Sequence, residues 1–133
     1  IVVFTRDTHG PNYLETRDGK KLPVEHCIKN TWGWEITDEL HGEAADALIV
    51  NKPTFGCAEL YEVVCDCEPI DEIEVCGLCT DICVVSNALL LKTAFFETVD
   101  ISVDATCCAG VTPETHEAAL KTMEMCQINI NRG

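Results

Sequence analysis

Residues 74–84 read Glu-Val-Cys-Gly-Leu-Cys-Thr-Asp-Ile-Cys-Val, and this stretch constrains the fold more than any other. A short apolar run stops at Gly77. Thr80 or Asp81 then opens a helix whose apolar pattern continues through Val85, Ala88, Leu89 and Lys92. Cys83 therefore falls in the first helical turn, at the carboxyl end of a buried strand. Backbone N–H groups and the positive end of the helix dipole favour a thiolate over a thiol there. Open parallel sheets also place their ligand crevices at the carboxyl ends of strands. Cys83 is thus a candidate nucleophile, with a buried structural thiol as the other reading.

Cysteine occurs ten times in 133 residues, at 27, 57, 65, 67, 76, 79, 83, 107, 108 and 126. A chain of this length, 47% apolar, can bury a core without covalent staples. Most of these cysteines lie inside apolar runs, so they are expected to be small buried thiols in a reducing cytosol. Cys65-Asp66-Cys67 and Cys107-Cys108 lack the paired spacing of a structural zinc site. The formal charge of -14 disfavours nucleic acid and anionic membranes as partners. No stretch reads as a signal peptide or a membrane span, and no repeat or linker divides the chain. One domain over residues 1–133 in a cytoplasmic protein is the expectation.

Strands alternate with helices. Residues 1–4 read as a strand ending in Thr5-Arg6-Asp7, and residues 47–50 as a second that delivers Asn51 and Lys52 to its end. A third covers 73–77, a fourth runs near 99–103 and a last one lies near 128–130. Helices are expected at about 55–64, after Asp81, and from Pro113 to about Cys126. The polar stretch from Thr8 to about Thr31 reads as one long irregular excursion, and loops of that length are usually functional. The pattern predicts an α/β fold, a three-layer α/β/α sandwich around a mainly parallel sheet. Asp7, Lys52 and the segment from Cys79 to Cys83 are then sent toward one sheet edge.

Several chemistries are open to these residues. The turn before Cys83 can offer N–H groups to an oxyanion. Lys52, directly after an apolar strand, could lower a thiol pKa or move a proton, or simply be a solvated strand-end lysine. Asp7, His9 and His26 suit a borderline divalent cation such as zinc, although a bare Asp-x-His is as readily a hydrogen-bonded turn. Trp32 and Trp34 flank Gly33 and could wall a pocket for a flat substrate or pack the loop on the sheet. His41 and His116 read as ordinary surface residues.

The segments Thr5-Arg6-Asp7-Thr8-His9, Leu22-Pro23-Val24-Glu25-His26-Cys27, Thr31-Trp32-Gly33 and Gly77 to Val84 resemble, in this order, those of the isochorismatase-like cysteine hydrolases. The Lys52 segment, Asp104-Ala105 with 107–110, and the helix at His116-Glu117-Ala118-Ala119-Leu120 extend the likeness over nearly the whole chain. Within that family, which has a Rossmann-like fold, the nicotinamidases are the nearest in pattern. The resemblance implies a Cys83 nucleophile that attacks an amide carbonyl to give a thioester, with Lys52 as the lysine of an Asp–Lys–Cys triad. It implies an oxyanion hole from the N–H groups of Cys79 and Cys83, and a cis peptide bond between Leu78 and Cys79. Asp7, His9 and His26 match the nicotinamidase metal ligands, with zinc the expected cation, and Trp32, Leu22 and Phe55 are candidates for the substrate pocket. The implied reaction is nicotinamide to nicotinate and ammonia in pyridine-nucleotide salvage, by a homo-oligomer acting on a small-molecule amide.

Two departures from the family pattern stand out. The family's catalytic aspartate follows a strand that precedes the one beginning here at Ile1, so this sequence is expected to lack a natural amino-terminal segment and, as a complete polypeptide, to have weak or no activity. Leu22 stands where an aromatic often precedes the metal-binding histidine, and Asn30 where a glycine is common. The first rival reading is a family hydrolase of another small amide or a vinyl ether. A rival of another class is a non-catalytic redox or metal-binding protein using Cys76, Cys79 and Cys83.

Overall fold

The computed structural model describes residues 1–67 and 69–133. The chain folds as two compact units, Ile1–Thr54 and Phe55–Gly133.

The first unit is built on two parallel strands, β1 (Val3–Asp7) and β2 (Leu48–Lys52). Their register pairs Val3 with Leu48 at one end and Asp7 with Lys52 at the other. Parallel pairing requires a crossover, and here residues 8–47 supply it. That crossover is not one irregular loop. It carries a 3-10 turn at Tyr13–Glu15, the short helix α1 (Arg17–Lys21), further 3-10 turns at Trp32–Trp34 and Asp38–Leu40, and a short helix α2 (His41–Ala44). The Thr16 hydroxyl caps α1 by accepting from the Gly19 N–H at 2.9 Å. Gly and Pro spacing obscured this helix because it is only five residues long. A parallel bridge between His9 and Ile28 draws the start of the crossover back to its middle.

The second unit holds three parallel strands in the order β3 (Glu72–Leu78), β4 (Asp100–Ala109), β5 (Asn129–Asn131). Three helices accompany them: α3 (Leu60–Cys65), α4 (Val85–Phe95) and α5 (Pro113–Met125). α4 links β3 to β4 and α5 links β4 to β5, so each parallel pair has a helical crossover. Ala88, Leu91 and Phe95 of α4, Ile101 and Val103 of β4, Leu120 and Met123 of α5, and Ile128 form the buried core. α5 begins as the sequence predicts: Thr112 and Thr115 exchange side-chain-to-backbone bonds and Pro113 occupies the first turn.

The α/β reading with parallel strands holds. Local bounds differ from expectation in three places. Residues 55–59 are not helical, so α3 is shorter than its apolar pattern implies. β4 runs six residues past Val103, through Cys107 and Cys108. Cys83 sits in a π-type turn, Thr80–Val84, that precedes α4 rather than in the first turn of a regular helix. The cysteines are also less buried than their apolar neighbours imply: Cys57 is buried, while Cys76, Cys107 and Cys126 are exposed. β3 and β4 alternate sides and carry some of these thiols outward.

Candidate functional site

In the first unit the carboxyl ends of β1 and β2 bring Asp7 and Lys52 together. The Lys52 ammonium donates to Asp7 Oδ1 and to the Thr54 carbonyl at 3.0 Å. Lys52 is 1% exposed, so it is not a solvated strand-end lysine but a buried ammonium held by a carboxylate. The same carboxylate, with His9 and His26, presents three ligand atoms within 4.8 Å of one another. One carboxylate oxygen suffices for Lys52, which leaves lone pairs for a cation.

Local bonds prepare the imidazoles. His26 Nδ1 lies 2.7 Å from the Val24 carbonyl, which requires a proton on Nδ1 and leaves the lone pair on Nε2. Burial, then the neighbouring His26, push the His9 pKa down toward the neutral form that can ligate a metal. Donor types, spacing and tautomer therefore fit a divalent cation such as zinc. Asn30, where the family commonly has a glycine, has φ +68° and so takes the left-handed conformation that asparagine tolerates better than most residues.

Beside this cluster Arg6 stacks on Trp34, with its guanidinium carbon 3.5 Å from the ring centroid. Arg6 also donates to Asn51 at 3.0 Å and to Glu35 at 3.3 Å, while the Trp34 indole donates to the Thr8 hydroxyl at 2.8 Å. Trp34 thus packs the crossover onto the end of β1. Trp32 is 90% exposed and Leu22 is also exposed. Phe55 is exposed in the second unit.

In the second unit the Leu78–Cys79 peptide is cis, as the resemblance to the family implies. The Cys79 carbonyl accepts from the N–H groups of Ile82 and Val84, both at 3.1 Å, and so anchors the turn that carries Cys83. Cys83 is half-buried. Three interactions fix this turn from outside. Thr80, fully buried, shares a 2.8 Å hydrogen bond with His116 Nδ1. The Asp81 carboxylate accepts from the Val111 N–H at 3.0 Å and from the Thr115 hydroxyl, which holds its pKa below the ordinary aspartate value. Asn87 donates to the Cys83 carbonyl at 2.8 Å and the Phe55 carbonyl at 3.1 Å and accepts from the Cys57 N–H at 2.8 Å. Burial raises the pKa of Cys57 and Cys108, which favours their protonated thiols.

His116 is therefore not an ordinary surface residue. Its partner lies 36 positions away in sequence, so no local pattern reveals it. Asn87, whose partners Cys57 and Phe55 lie 30 and 32 positions away, was missed for the same reason, although an asparagine within an apolar helix is a signal that could have been followed.

A family model described as an isochorismatase domain matches residues 1–131. The chain belongs to the isochorismatase family. Among curated proteins it is similar to the nicotinamidase of Schizosaccharomyces pombe, with 26% identity over 96% of this chain and 60% of that protein. The chain thus spans less than two thirds of that relative's length. Among solved structures it is similar to the nicotinamidase/pyrazinamidase of Bacillus subtilis, at 26% identity and a TM-score of 0.78, covering 98% of this chain and 74% of that one. A pyrazinamidase of Pyrococcus horikoshii in complex with zinc shares the fold at 24% identity and a TM-score of 0.75, covering all of this chain and 75% of that one.

Proposed function

We propose that this isochorismatase-family chain is a nicotinamidase-like amidohydrolase that converts nicotinamide to nicotinate and ammonia. The observation that carries this reading is the cluster of Asp7, His9 and His26, because family hydrolases of other specificity commonly lack that set. Among the described residues it is also the one grouping of three or more such ligands, and no thiolate belongs to it. That counts against a thiolate-bound metal at Cys76, Cys79 and Cys83.

In this reading the Cys83 thiolate attacks the amide carbonyl, and the N–H groups of Cys79 and Cys83 bind the oxyanion. Collapse breaks the C–N bond, and the leaving nitrogen takes a proton to depart as ammonia. Water then cleaves the thioester, which frees the carboxylate and returns the thiol. Lys52, in the family's lysine position, favours the thiolate through its charge and gives the leaving nitrogen a proton that the attacking water later returns to the amine, with Asp7 holding the ammonium. A divalent cation, for which we assign zinc, would be held by Asp7, His9 and His26 and would bind and orient the pyridine nitrogen. Trp32, Leu22 and Phe55 are our candidates for the pocket wall. We place the reaction in pyridine-nucleotide salvage in the cytoplasm, with the protein acting as a homo-oligomer.

Ammonia release from nicotinamide tests this, with Cys83→Ala and a chelator-treated sample as controls. Release that vanishes in both supports nucleophile, metal and substrate together. No release from metal-loaded protein, with turnover of another small amide or a vinyl ether, would favour the rival substrate class. Leu22, at a position often aromatic in nicotinamidases, is the feature that keeps that rival in view.

A further inference from the structure

We propose that Tyr13 is a positioning residue for a divalent cation bound by Asp7, His9 and His26, acting through its ring as the rigid backing of both imidazoles. This rests on the metal reading above and deepens it. The rings of Tyr13, His9 and His26 form a closed triangle: 4.7 Å from Tyr13 to His9, 4.9 Å from Tyr13 to His26 and 4.8 Å between the histidines. Tyr13 meets His26 edge-on at 80° and His9 at 47°. These are the tilted and edge arrangements that aromatic rings prefer.

The two histidines differ in what else holds them. His26 is fixed by its bond to the Val24 carbonyl. Among the described residues no hydrogen bond fixes the ring nitrogens of His9, so ring contact is what orients it. Tyr13 can serve as that support because it is itself immobilised. It is 3% exposed, and its hydroxyl donates to the Leu22 carbonyl at 3.1 Å, four residues before His26.

Its backbone is pinned as firmly. The Tyr13 carbonyl accepts from the Thr16 hydroxyl at 2.6 Å and the Thr16 N–H at 3.0 Å. Gly19 packs so closely that a Cβ there would lie 2.0 Å from that carbonyl oxygen. One side chain thus links the 3-10 turn, the His9 segment and the approach to His26. Groups that orient metal ligands without touching the metal typically change affinity by about 10–100-fold when removed.

The test is a titration of the metal-free protein with cobalt(II), read by its visible d–d absorption, and with zinc(II) by competition. The parent is compared with Tyr13→Phe, Tyr13→Leu and Tyr13→Met. Tyr13→Phe keeps the ring and should bind within about threefold of the parent with the same spectrum, whereas Leu and Met should weaken binding by about 10–100-fold and alter band shape. Two aliphatic variants are included so that misfolding of one, seen by circular dichroism, leaves the other to decide. Parent-like affinity and spectrum in a folded aliphatic variant would overturn the proposal. An equal loss in Tyr13→Phe would overturn it too, since the hydroxyl would then be the supporting group. Absence of cobalt binding by the parent would sink both the metal reading and this inference. Failure to hydrolyse nicotinamide, with the ring-dependent affinity intact, would remove only the substrate.

Discussion

The Nδ1 atom of His116 lies 2.8 Å from the hydroxyl oxygen of Thr80, joining α5 to the turn that carries Cys83. Thr80 is fully buried and has little freedom to find another partner. A net hydrogen bond of this type contributes about 0.5–1.5 kcal/mol, and an orphaned buried group costs about 1–3 kcal/mol. In a double-mutant cycle by urea unfolding, Thr80→Val and His116→Phe should each destabilise the chain, and the pair should lose about 1 kcal/mol less than the sum. Strict additivity would show that the contact carries no coupling. On the proposed amidase reading, His116→Phe is expected to lower kcat more than it raises KM, because it disturbs the turn that carries Cys83 rather than substrate binding.

The neighbouring Asp81 gives a pH signature. The Thr115 hydroxyl, then the Val111 N–H, hold its pKa below the ordinary value of 3.8. A carboxylate with a depressed folded pKa contributes stability that is present above the unfolded value and lost as pH falls through the folded one. The stability gap between the parent and Asp81→Asn should therefore be full at pH 5 and above and narrow as the pH drops below about 4. Urea midpoints of both proteins across that range check the sign. A gap that widens in acid would contradict the assignment.

What the sequence revealed and what it hid divide along physical lines. Cys83, Lys52, Asp7, His9 and His26 were singled out by short motifs and their resemblance to a family's, and the structure brings Asp7, His9 and His26 together and pairs Lys52 with Asp7. The helix from Pro113 was legible because its cap is local. The Lys52–Asp7 bond depends on strand register, its partners lying 45 positions apart, and no local pattern encodes it. His116, Asn87 and Tyr13 were hidden because their roles come from tertiary contacts. The cysteines misled because alternation along β3 and β4 turns some thiols to solvent although their neighbours are apolar.

The Lys52–Asp7 pair predicts an asymmetry. The ammonium is 1% exposed, whereas the Asp7 side chain is 25% exposed. Removing Asp7 takes the carboxylate of a buried ion pair away from its ammonium, a change that typically costs about 3–5 kcal/mol. Removing Lys52 leaves a carboxylate that water can reach. In chelator, where no cation competes for Asp7, Asp7→Ala should lower the urea midpoint clearly more than Lys52→Met. Equal losses would mean that other partners of the ammonium, the Thr54 carbonyl among them, already satisfy it.

Asn87 offers the sharpest stability test, because its one amide serves three backbone groups. Its carbonyl takes the Cys57 N–H, and its NH₂ reaches the carbonyls of Phe55 and Cys83. Asn87 is 4% exposed, so water cannot replace these bonds without opening the packing around α4. Asn87→Leu keeps the volume but leaves a buried N–H and two carbonyls without their partner, at a cost of about 2–3 kcal/mol. Asn87→Asp should fail in a different way. Its carboxylate can still accept from Cys57 but cannot donate to Cys83, and it places an acceptor against two carbonyl oxygens. Protonation restores one donor, so Asn87→Asp should regain part of its lost stability relative to the parent in mild acid, while Asn87→Leu should not. Parallel urea series at two pH values separate the outcomes. The same acid dependence in both variants would place the lost stability in packing rather than in the hydrogen bonds of the amide.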